Sequence, residues 1–355
     1  MPLHFTSLED LMRHGHDALI DVRSPAEFAE DHLPGAINLP VLSNAERAEV
    51  GTIYVQQSQF LARKIGAAKV FSNAASHLQG ALKDKPGGWR PLVYCWRGGQ
   101  RSGAFSWMLS QIGWRAETIV GGYQTYRRLV NAMLHKTPLP HRLVLLDGDT
   151  GTAKTDLLHL LAERGLQTLD LEACARHRGS LLGALNVPQP SQKAFESRIA
   201  TRLLSMDPLR PVLVEAESSK IGARMIPPSL WALMKHAPRI ELSAPLAARA
   251  AYLVHAYDDI LSDTRTLHEK LDQLRPRRGH KMVEDWRALS VAGDKIALTS
   301  ALMSQHYDPA YQKARSQTAT EPVARIWLDT LDSKALGEAA AGIEKAMDQP
   351  DFSKS

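Results

Sequence analysis

Cys95 is the side chain best suited to covalent chemistry, and it lies in the stretch PLVYCWRGGQRSG. The apolar residues before it predict a buried strand, and the amphipathic run after the loop predicts a helix. Loop N–H groups at a helix N-terminus, together with Arg97 and Arg101, would stabilise a thiolate beside an anion such as sulfite, phosphate or selenophosphate. A free cysteine is more often a small buried hydrophobe, but that role requires neither Gly98-Gly99 nor two arginines. We therefore predict that Cys95, Arg97 and Arg101 are catalytic.

A second stretch has the composition of a phosphate-binding loop. Four apolar residues at 143–146 predict a strand, and the sequence GDTGTAKT follows it and opens a predicted helix. Ala153 replaces the second glycine of this motif; its Cβ would narrow the cradle or restrict its backbone, which weakens the case for strong ATP turnover. A helix N-cap loop with a coincidental lysine is the alternative interpretation. The residues predicted to contact a di- or triphosphate are Gly148, Gly151, Lys154 and Thr155, the last through Mg²⁺.

Charged residues beyond this loop are auxiliary candidates. In LDLEACARHRGSLLG, a basic trio follows two acidic residues, and beside a phosphate loop it would contact a pyrophosphate or an RNA backbone. A buried strand at 211–218 ends in Glu215 and Glu217, which would either hold a metal-bound water near the loop or form ion pairs. The alternative partners for these ion pairs are Lys220 and Arg224. The auxiliary candidates are Glu172, Arg176, His177, Arg178 and Glu217, whereas Cys174 is predicted to be structural.

Composition narrows the classes of function. A net charge of +5 and a pI near 9.1 are compatible with a polyanionic partner without demanding one. Two cysteines among 355 residues cannot build a disulfide framework, which favours a reducing cytosol. The charged N-terminal segment lacks the apolar core of a signal peptide, and no run approaches the roughly 20 apolar residues that span a bilayer. We therefore expect a cytoplasmic protein without membrane contact.

Strands alternate with helices along much of the chain, which predicts α/β domains with parallel sheets covered on both faces. The segment HKTPLPH has two prolines and no hydrophobic period, so we predict an interdomain linker there. Residues 247–311 are mostly helical by pattern, and the tail beyond Gln349 is predicted to be disordered. The predicted ranges are 1–135 for the first domain, 136–141 for the linker, 142–330 for the second domain with its helical insertion or extension, and 331–355 for a C-terminal helix and tail.

Two motifs of the first domain, DVRSPAEFAEDHLPGAINLP and CWRGGQRSG, resemble the rhodanese family of sulfurtransferases, whose loop cysteine carries a persulfide. Asp31 departs from that family, which usually has a glycine before the histidine. The spacing from Cys95 to Arg101 also fits Cys-dependent phosphatases, although these usually place a histidine where Tyr94 stands. Spacing alone does not separate the two chemistries, because both use a thiolate in an anion cradle.

A rhodanese-like domain followed by a P-loop NTPase-like domain, with DLEACARHRGS and HYDPAY, closely resembles the bacterial tRNA 2-selenouridine synthases. The resemblance implies replacement of sulfur by selenium in wobble 2-thiouridine of tRNA. Selenophosphate would be the donor, and an S-geranylated base made from geranyl diphosphate would be the intermediate. Cys95 would accept selenium, and the loop at 148–155 would hold the diphosphate. No tightly bound cofactor is implied; Mg²⁺ would accompany the diphosphate, and an enzyme that delivers selenophosphate would be a partner.

With tRNA as the substrate, the basic run LRPRRGHK at 274–281 becomes a predicted phosphate contact rather than only a solvated surface, and binding would weaken steeply with salt. Two other functions remain open. One is a general persulfide carrier with a nucleotide-binding P-loop module, and the other is a Cys-dependent phosphatase. The residues of the basic run predicted to contact tRNA are Arg275, Arg277, Arg278 and Lys281.

Overall fold

A computed structural model describes residues 1–180, 182–185, 187–316 and 321–347. The predicted disordered tail lies outside these residues. The elements of the first 138 residues are β1 (Pro2–Leu3), α1 (Leu8–Met12), β2 (Ala18–Asp21), α2 (Pro25–Glu30), β3 (Ile37–Asn38), α3 (Asn44–Gln56), α4 (Gln59–Gln79), β4 (Pro91–Tyr94), α5 (Gln100–Gln111), β5 (Glu117–Ile119) and α6 (Gly122–Asn131), which continues as a π-helical segment (Ala132–Lys136).

The remaining elements begin with a strand and helix on either side of the predicted phosphate loop. They are β6 (Leu143–Gly148), α7 (Lys154–Glu163), β7 (Gln167–Leu169), α8 (Leu171–Ala175), α9 (Gln192–Leu204), β8 (Val212–Glu215), β9 (Lys220–Ile221), β10 (Arg224–Met225), α10 (Pro228–His236), β11 (Arg239–Ser243), α11 (Leu246–Ala256), α12 (Asp258–Leu261), α13 (Thr264–Asp272), α14 (Arg275–Arg278), α15 (His280–Val291), α16 (Lys295–Leu302), a π-helical segment (Met303–Tyr307), α17 (Asp308–Ser316), β12 (Ala324–Trp327) and α18 (Ser333–Met347).

The chain divides into two compact α/β units, which confirms the predicted fold class. The first unit consists of Met1–Pro138 together with Pro190–Leu204, and the second of Leu139–Gln189 together with Ser205–Ser355. The predicted ranges differ from this division in three places: the second unit begins within the predicted linker, at Leu139, it includes the C-terminal helix that was predicted as a separate segment, and it lacks Pro190–Leu204. Helix α9 falls within the predicted range 142–330 by sequence but packs in the first unit.

The first unit is built on a five-stranded parallel sheet with the order β1-β5-β4-β2-β3. Every residue of the central strand β4 is buried, because neighbouring strands flank it and helices cover the sheet. Val93 of this strand packs with Ile20, Phe105 and Leu109 in the apolar core. Cys95 comes directly after β4, so the reactive loop starts at the carboxyl end of the central strand.

The second unit repeats this arrangement with a parallel sheet of order β12-β11-β6-β8-β7. All six residues of the central strand β6 are buried, and Leu157, Leu158 and Leu161 of α7 pack into the core beside it. Helices α11–α17 form the predicted helical extension, with a separate apolar cluster around Trp286. Within the described ranges, no helix has the length and apolar character needed to cross a membrane.

Asp31, the departure from the rhodanese pattern, anchors α9 to the first unit. Its carboxylate is 3% exposed and accepts hydrogen bonds from the hydroxyls of Tyr123 at 2.8 Å and Ser197 at 3.0 Å. The Arg127 guanidinium lies 3.7 Å from the same carboxylate and also pairs with Glu196 of α9. Burial raises the pKa of Asp31 despite these donors. A residue that looks like a local exception in the sequence therefore holds a helix from far along the chain.

We predict that Asp31→Ala loosens α9, because the hydroxyls of Tyr123 and Ser197 lose a buried acceptor, at a cost of about 1–3 kcal/mol. Native-state hydrogen exchange of the 192–204 amides should accelerate by about tenfold or more. The control is Glu30→Gln, which breaks the exposed ion pair between Glu30 and Lys193. It should change the free energy of opening of the same amides by less than about 1 kcal/mol. Equal exchange rates in the two variants would contradict the anchoring role.

Candidate functional site

The loop that begins at Cys95 is held through its carbonyl groups. The N–H of Tyr123 donates to the carbonyl oxygen of Cys95 at 2.8 Å, and the N–H of Gln124 donates to that of Trp96 at 3.1 Å. Backbone N–H groups in the first turn of α6 thus donate hydrogen bonds to the carbonyl groups of the loop. The N–H groups of residues 97–101 donate to no acceptor among the described residues, so they remain available to an anion.

Glycines make this close packing of loop against helix feasible. Gly98 has a φ of +66°, and a Cβ there would collide with the carbonyl oxygen of Ile119. A Cβ on Gly122 would collide with the carbonyl oxygen of Cys95. Gly98 of the loop therefore packs directly against the glycine pair at the start of α6, although 23 positions separate Gly98 from Gly121 in the sequence.

The Cys95 thiol lies between the apolar core and a hydroxyl group. Its side chain is 4% exposed and belongs to the core cluster with Val93 and Phe105. The Ser102 hydroxyl donates to Sγ at 3.2 Å and is the single hydrogen-bond donor to that atom within the described chain. The predicted placement of the thiol at the first loop position is observed. Its local environment, however, is less charged than the sequence suggests.

The two arginines expected to charge this loop differ in their surroundings. Nη1 of Arg101 lies 2.9 Å from Oε2 of Glu27, in the capping box that opens α2. Burial is the largest single effect on Glu27 and opposes its ionisation, but the hydrogen bond and charge of Arg101, together with Ser24 and Arg47, outweigh it and hold the pKa of this carboxyl below its usual value. Arg97 is exposed and forms no ion pair with the described residues. Of the two arginines predicted to charge the loop, Arg101 therefore has its charge balanced by Glu27, whereas Arg97 does not; the predicted catalytic role of both stays a prediction.

The predicted phosphate loop connects β6 to α7, as expected. The ammonium of Lys154 donates to the carbonyl oxygens of Gly148 at 2.9 Å and Asp149 at 3.1 Å, so it lies across the loop. The Gly148 N–H donates to the Asp147 carboxylate at 2.7 Å, and Arg239 pairs with that carboxylate at 3.3 Å. This buried pair fixes the start of the loop.

Ala153 has a backbone conformation that glycine usually occupies. Its φ of 56° and ψ of 32° lie in the left-handed region, at the residue that precedes α7. This conformation costs an L-residue with a Cβ roughly 1–2 kcal/mol. The methyl group is buried in the core that includes Leu157. The loop therefore keeps its turn although alanine replaces glycine. Of the two predicted effects of the Cβ, the one that the structure shows is the energetic cost of the left-handed backbone conformation.

Sequence reasoning missed three residues that support this loop. Arg249 is 6% exposed; it donates to the carbonyl oxygen of Thr150 at 3.1 Å and forms two 3.0 Å hydrogen bonds with the Asp308 carboxylate. The Tyr311 ring centroid lies 5.8 Å from the ammonium of Lys154. Asp308 and Tyr311 belong to the motif HYDPAY, which signalled the family but not this role. Arg249 lies in an alanine-rich helix and carries no local signal.

Three carboxylates cluster beside the loop. The ligand oxygens of Glu172, Glu215 and Glu217 all lie within 4.8 Å of one another. Burial, followed by the negative charges of the other two, raises the pKa of Glu172 to about 10. Burial and Glu215 raise the pKa of Glu217 to about 7, and burial also raises that of Glu215. The alternative ion pairs with Lys220 or Arg224 are not formed.

The basic trio that follows α8 is only partly available to a ligand. Arg176 is exposed and ends α8 with a φ of 50°. Burial lowers the pKa of His177, and the positive charge of Lys270 adds to this effect. The Arg178 guanidinium forms a bidentate pair with Asp259 at 2.9 and 3.0 Å. The charge of Arg178 is thus already balanced. Cys174, predicted to be structural, is buried.

An apolar cavity opens beside the phosphate loop. It contains about 360 Å³ of empty space, its open mouth included. Thr150 of the loop, Ser180 and Thr299 contribute hydroxyl groups to its lining, as do the tyrosines at 257 and 307. The apolar part of the lining is formed by Leu182, Leu253, Leu261, Leu302 and Met303. A ligand with a charged end at the loop and a hydrocarbon end would match these surroundings.

The basic run at 274–281 contains both bound and free cations. Arg275 pairs with Asp272 and Glu284, and Arg278 donates to the ring and carbonyl oxygen of His306 at 3.0 Å. These two side chains stabilise the helical extension. Arg277 and Lys281 are exposed and form no ion pair with the described residues. They are therefore the members of the run that are free to contact a polyanion.

Comparison with known proteins finds two families that match successive parts of the chain, in the order of the two units described above. Residues 5–129 match the rhodanese-like domain family, and residues 141–331 match a family described as the tRNA 2-selenouridine synthase AAA domain.

Several curated proteins named tRNA 2-selenouridine synthase are similar to this chain. The protein from Nitrosomonas europaea is 38% identical over 246 residues, which cover 67% of this chain and 63% of that protein. The protein from Shewanella denitrificans is 32% identical over 88% of this chain and 94% of that protein. The protein from Hahella chejuensis is 36% identical, with coverage of 82% and 84%. The match to the Nitrosomonas protein therefore spans less than two thirds of its length, whereas the other two are nearly complete. On these matches, the chain belongs to the tRNA 2-selenouridine synthase family.

Proposed function

We propose that this chain replaces the sulfur of wobble 2-thiouridine in tRNA by selenium, in two steps. In the first step, geranyl diphosphate bound at the 148–155 loop alkylates the sulfur. In the second step, selenophosphate held beside Cys95 attacks the ring carbon that carries the geranylated sulfur: the C–Se bond forms, the C–S bond breaks and geranyl thiol leaves, and water then takes up the phosphoryl group as the Se–P bond breaks. The names of the relatives support tRNA modification, and the surroundings of each loop support the individual steps.

The position of Thr150 carries this proposal. Thr150 belongs to the phosphate loop and also lines the apolar cavity, so the two features are continuous. A nucleotide would place a polar base and ribose against a lining whose exposed surface is mostly apolar, although half of its residues carry a hydroxyl group. A geranyl diphosphate would place its anionic head on the loop and its hydrocarbon chain in the cavity. The lining therefore favours the prenyl diphosphate over ATP as the ligand of this loop.

The geometry of the loop suits loss of diphosphate as a leaving group. When the 2-thiouridine sulfur attacks the first carbon of the geranyl chain, a C–S bond forms and the C–O bond breaks with its electron pair on the diphosphate. Lys154, the loop N–H groups and the N-terminus of α7 would stabilise the charge that develops there. Arg249 holds the Thr150 carbonyl and so positions the loop without contacting the reacting atoms.

Alkylation makes the later exchange feasible. A thiocarbonyl sulfur departs poorly as sulfide, whereas an S-geranyl group departs as a thiol when a selenium nucleophile attacks the same ring carbon. The free N–H groups of residues 97–101 would bind the anionic selenium donor beside Cys95. The Ser102 hydroxyl, which donates to Sγ, would stabilise the thiolate.

Nucleoside mass spectrometry of 2-thiouridine tRNA tests this scheme. With geranyl diphosphate and selenophosphate, the wild-type protein should form 2-selenouridine. Lys154→Ala should form no geranylated nucleoside but should still selenate tRNA that was geranylated beforehand. Cys95→Ser should accumulate the geranylated nucleoside without selenation, because it lacks the thiolate beside which the selenium donor is held. The control Cys174→Ser, which alters the other buried cysteine, should perform both steps.

Absence of both modified nucleosides with the wild-type protein would contradict the proposal. Two further outcomes would identify the alternatives. A thiosulfate-dependent persulfide on Cys95 without tRNA affinity would indicate a sulfur carrier. Hydrolysis of an aryl phosphate that Cys95→Ser abolishes would indicate a phosphatase.

We predict that tRNA binding depends on the two free cations of the basic run. The double variant Arg277→Ala/Lys281→Ala should bind tRNA several-fold more weakly, because two phosphate contacts and their counterion release are lost. The slope of log affinity against log salt should fall by about one for each contact. Filter binding at several salt concentrations measures both effects.

The matched control removes the same charge elsewhere in the second unit. Arg325→Ala/Lys334→Ala truncates two exposed cations in local ion pairs and should leave the slope unchanged. Equal affinities and slopes for the two double variants would assign tRNA binding to another surface.

A further inference from the structure

The three carboxylates beside the phosphate loop have no cation to balance them. Glu172, Glu215 and Glu217 come from α8, the end of β8 and the segment after it, yet their oxygens lie within 4.8 Å of one another. None of them forms an ion pair with the described residues. The ammonium of Lys154 is nearby, but it donates to the carbonyl oxygens of Gly148 and Asp149. Three carboxyl groups therefore lie near one ammonium group, and all three can ionise together only if further positive charge is added.

Glu215 provides an independent indication of a ligand. Its side chain is 1% exposed, and its Oε1 has no hydrogen-bond partner. A buried acceptor without a partner is costly, and a carboxylate oxygen more so, so such an atom calls for a donor or a cation. Glu215 belongs to the cluster, because one of its carboxylate oxygens lies within 4.8 Å of an oxygen of Glu172 and of Glu217.

The surrounding backbone keeps the carboxylates together. Gly179 has a φ of +70°, and a Cβ there would collide with the Glu172 carboxylate and lie 3.0 Å from Oε1 of Glu217. The chain thus closes over the cluster at a residue with no side chain. On the side of the phosphate loop, Oγ1 of Thr155 lies 3.5 Å from Oε2 of Glu172. The cluster is therefore enclosed by main chain and by the loop hydroxyl.

We propose that Glu172, Glu215 and Glu217 bind one Mg²⁺ ion, with the Thr155 hydroxyl beside them. All of these donors are oxygens, and no sulfur or imidazole belongs to the cluster, so the set suits a hard cation. Two positive charges added to that of Lys154 balance the three carboxylates. The protein supplies these groups itself, so the ion binds without a diphosphate. Its further role as counter-ion to a bound diphosphate rests on the proposed function.

Binding of Mn²⁺, followed by electron paramagnetic resonance of the free ion, tests the site in the full-length protein without tRNA or diphosphate. We expect one Mn²⁺ per chain, displaced by Mg²⁺. Glu172→Gln, Glu215→Gln and Glu217→Gln should each weaken the affinity by about tenfold or more. The control Glu269→Gln, which neutralises an exposed carboxylate of α13, should bind as the wild type does. Mg²⁺ should also raise the unfolding temperature of the wild type and of Glu269→Gln more than that of the three site variants.

Failure of the wild type to bind Mn²⁺, or equal affinities of the wild type and the site variants, would overturn the proposal. Circular dichroism establishes that each variant is folded, and the partly exposed Glu217 offers a variant with less risk to folding than Glu215. Lys154→Ala separates this proposal from the function above. This variant should keep Mn²⁺ binding but lose the increase in Mn²⁺ affinity that pyrophosphate gives the wild type. Mn²⁺ binding without formation of modified nucleosides would leave the cation site standing and remove the proposed function.

Discussion

Repulsion among three buried carboxylates around one lysine sets the electrostatics of the second unit. At neutral pH the three are not all ionised without further positive charge, because burial and mutual repulsion raise the pKa of Glu172 to about 10 and that of Glu217 to about 7. A diphosphate on the neighbouring loop would add negative charge to the same region. Lys154 and the loop N–H groups favour the diphosphate, whereas the carboxylates oppose it. Anion binding here is therefore coupled to whatever cation the carboxylates hold.

Both loops occupy the same place in their folds, but they obtain positive charge differently. Each follows the central strand of a parallel sheet, at the carboxyl end where ligands bind in open α/β folds. In the first unit, Glu27 balances Arg101, so the loop around Cys95 retains its backbone N–H groups and the guanidinium of Arg97 as sources of positive charge. In the second unit, Lys154 lies across the loop itself.

The sequence predicted the local parts of both sites and missed the parts that depend on distant segments. Strand, loop and helix around Cys95 and Lys154 follow from periodicity and glycine placement within about fifteen residues, and the structure has them where predicted. Asp31 looked like a local exception because its partner Ser197 lies 166 positions away. Arg249 had no signal because its role comes from contacts with Thr150 and Asp308, which only the folded chain brings together.

The same distinction between local and distant contacts explains why the net charge at each site was harder to predict than the backbone conformation. Arg101 and Arg178 were predicted to supply positive charge to an anionic ligand at their sites. Each instead pairs with a carboxylate far along the chain, Glu27 or Asp259. Motif spacing indicates which backbone conformation a segment adopts. The net charge at a site depends instead on which acidic side chains the fold brings near it.

Ala153 shows how a departure from a motif can leave the loop intact. The left-handed conformation costs the alanine roughly 1–2 kcal/mol relative to glycine. Two effects offset this cost: alanine restricts the unfolded chain, which contributes about 0.4–1 kcal/mol, and its buried methyl group contributes about 0.8 kcal/mol. The balance is close to zero, so stability alone does not require glycine at this position. What the alanine adds is a stiffer turn before Lys154. In the proposed reaction the diphosphate departs without any nucleotide-driven rearrangement of the loop, so a stiff turn would not hinder it.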